Sequence, residues 1–418
     1  MHYCIFDAFV NNIFTQYHLL ISFVCVIFYM GAVTEFGFGV PLVTAGNTRD
    51  SVDFEGTRKI WDYLIPELDV AVVLGTTGWG RNVLAKSRDD ARRLVDLGIE
   101  LGEKHGKKVV VGTGAEKLEH AVEITEYAAS KGVFGVLVTD PIHRISEFAQ
   151  GFGQDPVDPA YLHRIMTEYH CRVMDAIPER SGTIYMPYIF PQLTAGNTLG
   201  FPAPEHLKVL INHAEMTGKK MDGGKLTHED KVVAQIYAKA CPELTFQAGF
   251  DHRAKLLLAD PGLNFNGAIF GTGNLIPKFL GAHVRDCLRL RELRVDDPTF
   301  QQDETASLLN RVSSQQSQVD AMFAHMWDTP GAFPRLIHGT LGIGEPTHVP
   351  EIPQNRLEQL ALGIARDAPA LAREMTQYQP EAPLAKVMVQ ALPEMMDPGG
   401  QMERPFTIRG QGTRTLIK

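Results

Sequence analysis

Eight short runs rich in β-branched residues alternate with stretches of helical period. This pattern predicts an α/β chain, a (β/α)8 TIM barrel followed by a C-terminal helical extension. Two further observations favour a closed barrel over an open doubly wound sheet. The strand–helix rhythm repeats eight times between about residue 36 and residue 280, and no glycine-rich first βα turn follows residue 44.

The first strand is expected at 36–44 (FGFGVPLVT), the second at 69–75 (DVAVVLG), the third at 108–113 (KVVVGT) and the fourth at 134–139 (FGVLVT). The fifth is expected at 182–187 (GTIYMP), the sixth at 214–220 (AEMTGKK), the seventh at 244–249 (LTFQAG) and the eighth at 266–272 (NGAIFGT). Gly218, Lys219 and Lys220 are poor strand formers, so the sixth rests on its place in the rhythm. Among the helices, 86–106 has Ser87 as its N-cap, Asp89 and Asp90 in its first turn and Gly106 as its stop. The stretch 117–132 places Leu118, Val122, Ile124 and Ala128 at near-helical spacing and ends in Gly132, and 158–177 is a longer helix. Beyond residue 280 the strands stop. The chain then divides into a hydrophobic N-terminal extension (1–34), the barrel (35–280), a helical region (281–375) and a proline-containing tail (376–418) with little periodicity, expected to be mobile or to dock a partner.

Hydrophobic residues make up 44% of the 418 and charged residues 21%, enough apolar surface for a large core. A net charge of -9 without a basic block excludes nucleic acid as the main partner. The five cysteines are scattered and form no zinc-type spacing, which suits a reducing compartment, and the expected location is cytoplasmic. Residues 13–33 approach the length of a membrane span. They are a membrane anchor, an uncleaved signal, or sequence upstream of a start at Met30. Membrane association is expected only through them.

In a barrel the reactive groups stand at strand C-termini. After the second strand, Gly75-Thr76-Thr77-Gly78-Trp79-Gly80 offers two hydroxyls and a run of N–H groups. That is either a carboxylate cradle or an ordinary tight turn. Tyr185, near the end of the fifth expected strand, is either a proton relay or a packing aromatic. At the end of the sixth, alternation puts Lys219 and Lys220 on opposite faces, so one of them points inward. A lysine enclosed there sheds solvation, which favours the neutral amine that attacks a ketone; a solvated loop lysine is the plainer reading. Gly271, opening Gly271-Thr272-Gly273-Asn274, lies where barrels often bind phosphate and is a substrate-binding candidate. Gly224-Lys225 lacks the spacing and the Ser/Thr of a phosphate loop.

Together these segments resemble the dihydrodipicolinate synthase/N-acetylneuraminate lyase superfamily of class I pyruvate-dependent aldolases and dehydratases. The matching pieces are Val40-Pro41-Leu42-Val43-Thr44, the GTTG turn, Gly112-Thr113-Gly114, the tyrosine–proline segment, the glycine–x–lysine segment, Asn274-x-x-Pro277 and residues 333–342. The resemblance spans roughly residues 36 to 375. It implies that Lys220 forms a Schiff base, Tyr185 shuttles protons, and Gly75, Thr76 and Thr77 hold the substrate carboxylate. It implies a homo-oligomer (dimer or tetramer), a small-molecule 2-oxo acid substrate, and no metal or organic cofactor.

The chain departs from the family where a tyrosine pair commonly follows the fourth strand. Asp140-Pro141-Ile142-His143 stands there, making His143 a possible relay, and Trp79 replaces the acidic residue that commonly follows GTTG. No arginine lies between Arg180 and Arg253 to hold a second carboxylate. The expected function is a Schiff-base-forming lyase, an aldolase or dehydratase, acting on pyruvate or a 2-oxo (2-keto-3-deoxy) acid. The alternatives are a dihydrodipicolinate synthase-type condensation, a catalytically impaired barrel acting as a binding or regulatory protein, and a barrel acting on a phosphorylated sugar.

Overall fold

The computed structural model describes residues 36–48, 51–76, 80–141, 159–190, 203–296, 302–327, 329, 332–343, 345–346 and 352–394. Strand β1 (Gly37–Pro41) runs into a small antiparallel hairpin, β2 (Ala45–Thr48) and β3 (Ser51–Val52). Helix α1 (Phe54–Leu64) follows, its N-terminus capped by Asp53, whose carboxylate accepts the Gly56 N–H at 2.9 Å. The remaining barrel strands are β4 (Val70–Val73), β5 (Lys108–Gly112), β6 (Gly135–Thr139), β7 (Ile184–Ile189), β8 (Gly223–Leu226), β9 (Thr245–Ala248) and β10 (Phe265–Ile269). They close in the order β1-β10-β9-β8-β7-β6-β5-β4 with every pairing parallel.

Between the strands lie α2 (Gly80–Lys86), α3 (Arg88–His105), α4 (Leu118–Ser130), α5 (Pro159–Asp175), α6 (Pro204–Met216), α7 (Lys231–Ala240) and α8 (Ala254–Leu258). Helix α3 starts and stops where its sequence says it should. The Ser87 side chain accepts the Asp90 N–H, and Gly106 ends the helix in the left-handed region at φ 65°.

Alternation along the strands builds two apolar layers. A small inner one fills the barrel with Val70, Val72, Val110, Leu137, Ile184, Met186, Tyr188 and Ile269. The outer one, between strands and helices, holds Phe38, Ala71, Val111, Val136, Tyr185, Phe246 and their partners. Strand β7 is therefore split, with Ile184, Met186 and Tyr188 inward and Tyr185 and Ile189 outward.

The sixth barrel strand differs from the expected one. Ala214 to Met216 finish helix α6, Gly218 reverses the chain at φ 64°, and the strand proper is Gly223–Leu226. Lys220 makes only an isolated bridge with Ile184. Two glycines and a lysine have almost no β-propensity, so the short strand is held by its neighbours β7 and β9 rather than by its own composition.

After β10, a 310 turn (Gly271–Asn274) leads into α9 (Pro277–Asp296). Asn274 ties this turn to β1, accepting the Val43 N–H at 3.1 Å and donating to the Pro41 carbonyl at 2.9 Å. The chain continues through α10 (Gln302–Trp327), α11 (Ala332–Leu341), β11 (Glu345–Pro346, paired with β2), α12 (Gln354–Asp367), α13 (Pro369–Gln377) and α14 (Pro383–Glu394). Helix α14 lies within the stretch expected to be an irregular tail. Pro383 sits at its first helical position, where a missing N–H costs nothing, and Leu384, Ala385 and Met388 are buried. Among the described residues no helix is long and apolar enough to cross a membrane, and residues 13–33 lie outside them.

Candidate active site

Lys225 is the lysine inside the barrel. It stands one residue from the C-terminal end of β8, is 3% exposed, and is flanked in register by Tyr188 of β7 and Gln247 of β9. Its Nζ donates to the Tyr188 hydroxyl at 3.2 Å and lies 4.3 Å from the centre of the Tyr188 ring. Thr227, two residues on and so on the same face, donates its hydroxyl to the same Tyr188 oxygen at 3.4 Å. Gly249, just past β9, leaves room for this group. A Cβ there would overlap Thr227 Oγ1 and come within 3.0 Å of Lys225 Cε.

Two expected residues are elsewhere. Lys220 is exposed, five positions upstream of Lys225, and its carbonyl accepts the Tyr185 N–H at 2.8 Å near the N-terminal ends of the strands. It stands at the opposite end of the barrel from the mouth because the sixth strand begins after it. Tyr185 is fully buried but faces the helices. Asp140 accepts from His170 Nε2 at 2.8 Å, which leaves Nδ1 to accept from the Tyr185 hydroxyl. Burial pushes the Tyr185 phenol well above the usual tyrosine range, so it packs as a neutral donor. The mouth tyrosine is Tyr188, because β7 runs two residues further than expected.

Gly75 and Thr76 stand at the C-terminal end of β4, on the same barrel end as Lys225, with Gly75 buried and Thr76 half-buried. The turn is tight. Leu74 is buried in the left-handed region at φ 56°, and a Cβ on Gly75 would lie 2.7 Å from Pro41 Cβ. Thr77 and the possible relay His143 lie outside the described residues.

Gly271 opens the 310 turn after β10, and the turn is already occupied. The buried Asp251 carboxylate accepts both the Thr272 N–H, at 3.0 Å, and the Thr272 hydroxyl. A protein carboxylate thus already takes both Thr272 donors of Gly271-Thr272-Gly273-Asn274. Burial pushes the Asp251 pKa up, while the Thr272 hydrogen bonds and the charge of Lys225 pull it back.

Aromatic rings line the approach. Phe190 stacks on Tyr188 at 5.7 Å between centroids, meets Phe250 edge-on at 5.9 Å, and Phe250 lies 5.0 Å from His252. Arg81, a cation that would suit a second carboxylate, bonds Glu116 at 2.6 Å and the Asp140 carbonyl at 3.0 Å through Nη2, while its Nη1 is buried without an acceptor among the described residues.

A parallel barrel with an enclosed lysine against a tyrosine hydroxyl at the strand C-termini defines a lyase of the class I aldolase and dehydratase type. Residues 36–287 match the dihydrodipicolinate synthetase family, and the chain belongs to that family. It is 26% identical over 243 residues to the 4-hydroxy-tetrahydrodipicolinate synthase of Caldicellulosiruptor bescii, covering 58% of this chain and 70% of that one. It is 25% identical over 256 residues to the Acidiphilium cryptum enzyme of the same name, covering 61% and 76%. The fold matches dihydrodipicolinate synthase from Aquifex aeolicus with a TM-score of 0.59, at 16% identity, over 79% of this chain and 98% of that one. It also matches the Ruminococcus gnavus sialic acid aldolase with a TM-score of 0.61, at 14% identity, over 82% and 99%.

Proposed function

We propose that Lys225 forms a Schiff base with the ketone of pyruvate or a related 2-oxo acid, and that Tyr188 moves the protons. The 3.2 Å separation of Lys225 Nζ and the Tyr188 hydroxyl carries this reading. The amine adds to C2 of the substrate to give a carbinolamine. Tyr188 passes a proton to the departing hydroxyl, water leaves, and the iminium that remains withdraws electrons from C3. Loss of a proton from C3, or cleavage of the C3–C4 bond, then gives an enamine; reversal with an aldehyde makes the bond. Thr227, hydrogen-bonded to the Tyr188 oxygen, steadies the phenol as it exchanges protons. Gly75, Thr76 and Thr77 are assigned to the substrate carboxylate.

The second substrate portion is better matched by an aryl group or a polyhydroxylated chain than by aspartate semialdehyde. The ring row Tyr188–Phe190–Phe250 supplies stacking surface, and Arg81 is already ion-paired with Glu116. A buried second carboxylate without a cation costs several kcal/mol, of order 2–5. Self-association as a dimer or tetramer is supported by exposed Val209 and Met216 on α6 beside Val232 and Ile236 on α7. The unpaired thiols of Cys171, Cys241 and Cys287 support a reducing, cytoplasmic location.

Borohydride reduction in the presence of pyruvate, followed by peptide mass spectrometry, tests the assignment. The adduct is expected on Lys225 and should vanish in Lys225→Met. An adduct on Lys219 or Lys220, or none with any 2-oxo acid, would sink it.

A further inference from the structure

A second cleft lies away from the barrel mouth, where α7, the 310 turn Asp251–Arg253, α8 and α10 meet. It encloses about 370 Å3, and its walls include Lys231, Arg253, Lys255, Gln316 and Asp320. Its cations are unequally satisfied. Lys231 is ion-paired with Asp260. Among the described residues, Lys255 Nζ reaches only a neutral acceptor, Ser313 Oγ at 2.8 Å. The Arg253 side chain makes no hydrogen bond among them, and its Nε is buried without an acceptor.

An unsatisfied buried donor costs roughly 1–3 kcal/mol, more when charged. The Asp320 carboxylate, which accepts from Gln316 Nε2 at 2.9 Å, interacts electrostatically with Arg253 but does not hydrogen-bond its Nε. The cleft thus sets a guanidinium and an ammonium, neither hydrogen-bonded to a carboxylate among the described residues, beside Asp260 and Asp320, and leaves donors of the kind that bind an oxyanion.

The cleft and the barrel mouth share one turn. Gln316 Oε1 accepts the Lys255 N–H at 2.9 Å, and its Nε2 donates to the Asp251 carbonyl at 3.3 Å. Asp251 and Arg253 are the two ends of a single three-residue 310 turn, and the Asp251 carboxylate holds the Thr272 N–H at 3.0 Å. A ligand drawing on Arg253 and Lys255 therefore pulls on the turn that carries Asp251.

We propose that this cleft binds a small oxyanion, a carboxylate or a phosphate, through Arg253 and Lys255, and that its occupancy is transmitted to the barrel mouth through the Asp251–Arg253 turn. Neither half depends on which lysine is the catalytic amine. Isothermal titration of the full chain with inorganic phosphate, and separately with succinate, reads binding directly. Saturable binding of at least one anion is expected, weakened tenfold or more in Arg253→Gln and in Lys255→Gln. The tighter of the two identifies the oxyanion class. No saturable binding to the wild type, or wild-type affinity in either variant, overturns the site. Transmission is read by hydrogen–deuterium exchange at the Thr272 amide, which should change severalfold when the anion saturates the wild type and stay constant in Arg253→Gln. An unchanged Thr272 exchange rate at saturation overturns the coupling.

Discussion

Lys225 and Tyr188 face each other across the seam between β8 and β7, in register, with 3.2 Å between the amine nitrogen and the phenol oxygen. Tyr185, three residues earlier on the same strand, points the other way and bonds His170. Strand alternation alone separates the two tyrosines, so the two substitutions should have different consequences. Tyr188→Phe should lower kcat by about 10²–10⁴-fold with the melting temperature nearly unchanged. Tyr185→Phe strips the donor from a buried imidazole and should cost roughly 1–3 kcal/mol of stability while the variant retains turnover. Steady-state kinetics and thermal melts on both proteins check this, and equal kinetic losses would contradict the two-faced strand.

Gly249 makes a steric prediction. A Cβ at this position would overlap Thr227 Oγ1 and press on Lys225 Cε. Gly249→Ala should therefore displace the lysine from Tyr188 and abolish borohydride trapping, even where circular dichroism reports a folded barrel. A Gly249→Ala protein that traps pyruvate at the wild-type rate would show that the amine is not held at this contact.

The barrel was legible because its signal is repeated and apolar. Val70 to Val73, Val109 to Val111 and Val136 to Val138 can be little else than buried strands, and the Ser87 and Gly106 caps fix a helix at both ends. The lysine that faces the lumen is hard to read because the strand that carries it is Gly-Gly-Lys-Leu, with no hydrophobic period. The last turn of α6, ending Ala214-Glu215-Met216, occupied the place in the rhythm instead. The lumen-facing tyrosine, three residues past Tyr185, is hidden for a related reason. Ile184, Met186 and Tyr188 alternate with Tyr185 and Ile189, and both faces are buried, so polarity gives no cue to which face is the lumen. The run to Ile189 before Phe190 was the available hint that the strand ended later. The Asp251–Thr272 pair joins residues 21 apart in sequence, and only the folded neighbourhood of β9 and β10 brings them together.

One carboxylate clamps α13 to the start of α9. Glu374 of α13 accepts the N–H groups of Lys278 and Phe279, at 2.7 and 2.8 Å, in the first turn of α9. Burial raises the Glu374 pKa, and the two N–H groups oppose that rise. Glu374→Ala leaves both donors without this acceptor and should cost about 2–4 kcal/mol. Denaturant unfolding should show it as a lower midpoint, and a variant as stable as the wild type would mean that water or another group replaces the clamp.

Acid should weaken the fold through His338. This ring is 5% exposed on α11, and its Nδ1–H donates to the Ile343 carbonyl at 2.6 Å. Burial is the main cause that lowers its pKa from 6.5 to about 4, helped by Arg335 and opposed by the hydrogen bond to Ile343. The unfolded chain takes up a proton near pH 6.5, whereas the folded chain does not until about pH 4. Between those values the unfolded state binds more protons, so stability falls as the pH falls. The stabilisation is fully present above pH 6.5, is lost progressively down to about pH 4, and changes no further below that. A shift of this size corresponds to roughly 3 kcal/mol at most. His338→Gln keeps an N–H donor for Ile343 and removes the titration. Its melting temperature should therefore vary less between pH 6.5 and pH 4 than that of the wild type, even if it starts lower. His252, which burial and Arg253 also hold at about 4, contributes in the same window and is unaffected by this substitution, so a residual slope should remain. Parallel pH profiles for the two proteins would show that the His338 imidazole does not carry the acid sensitivity.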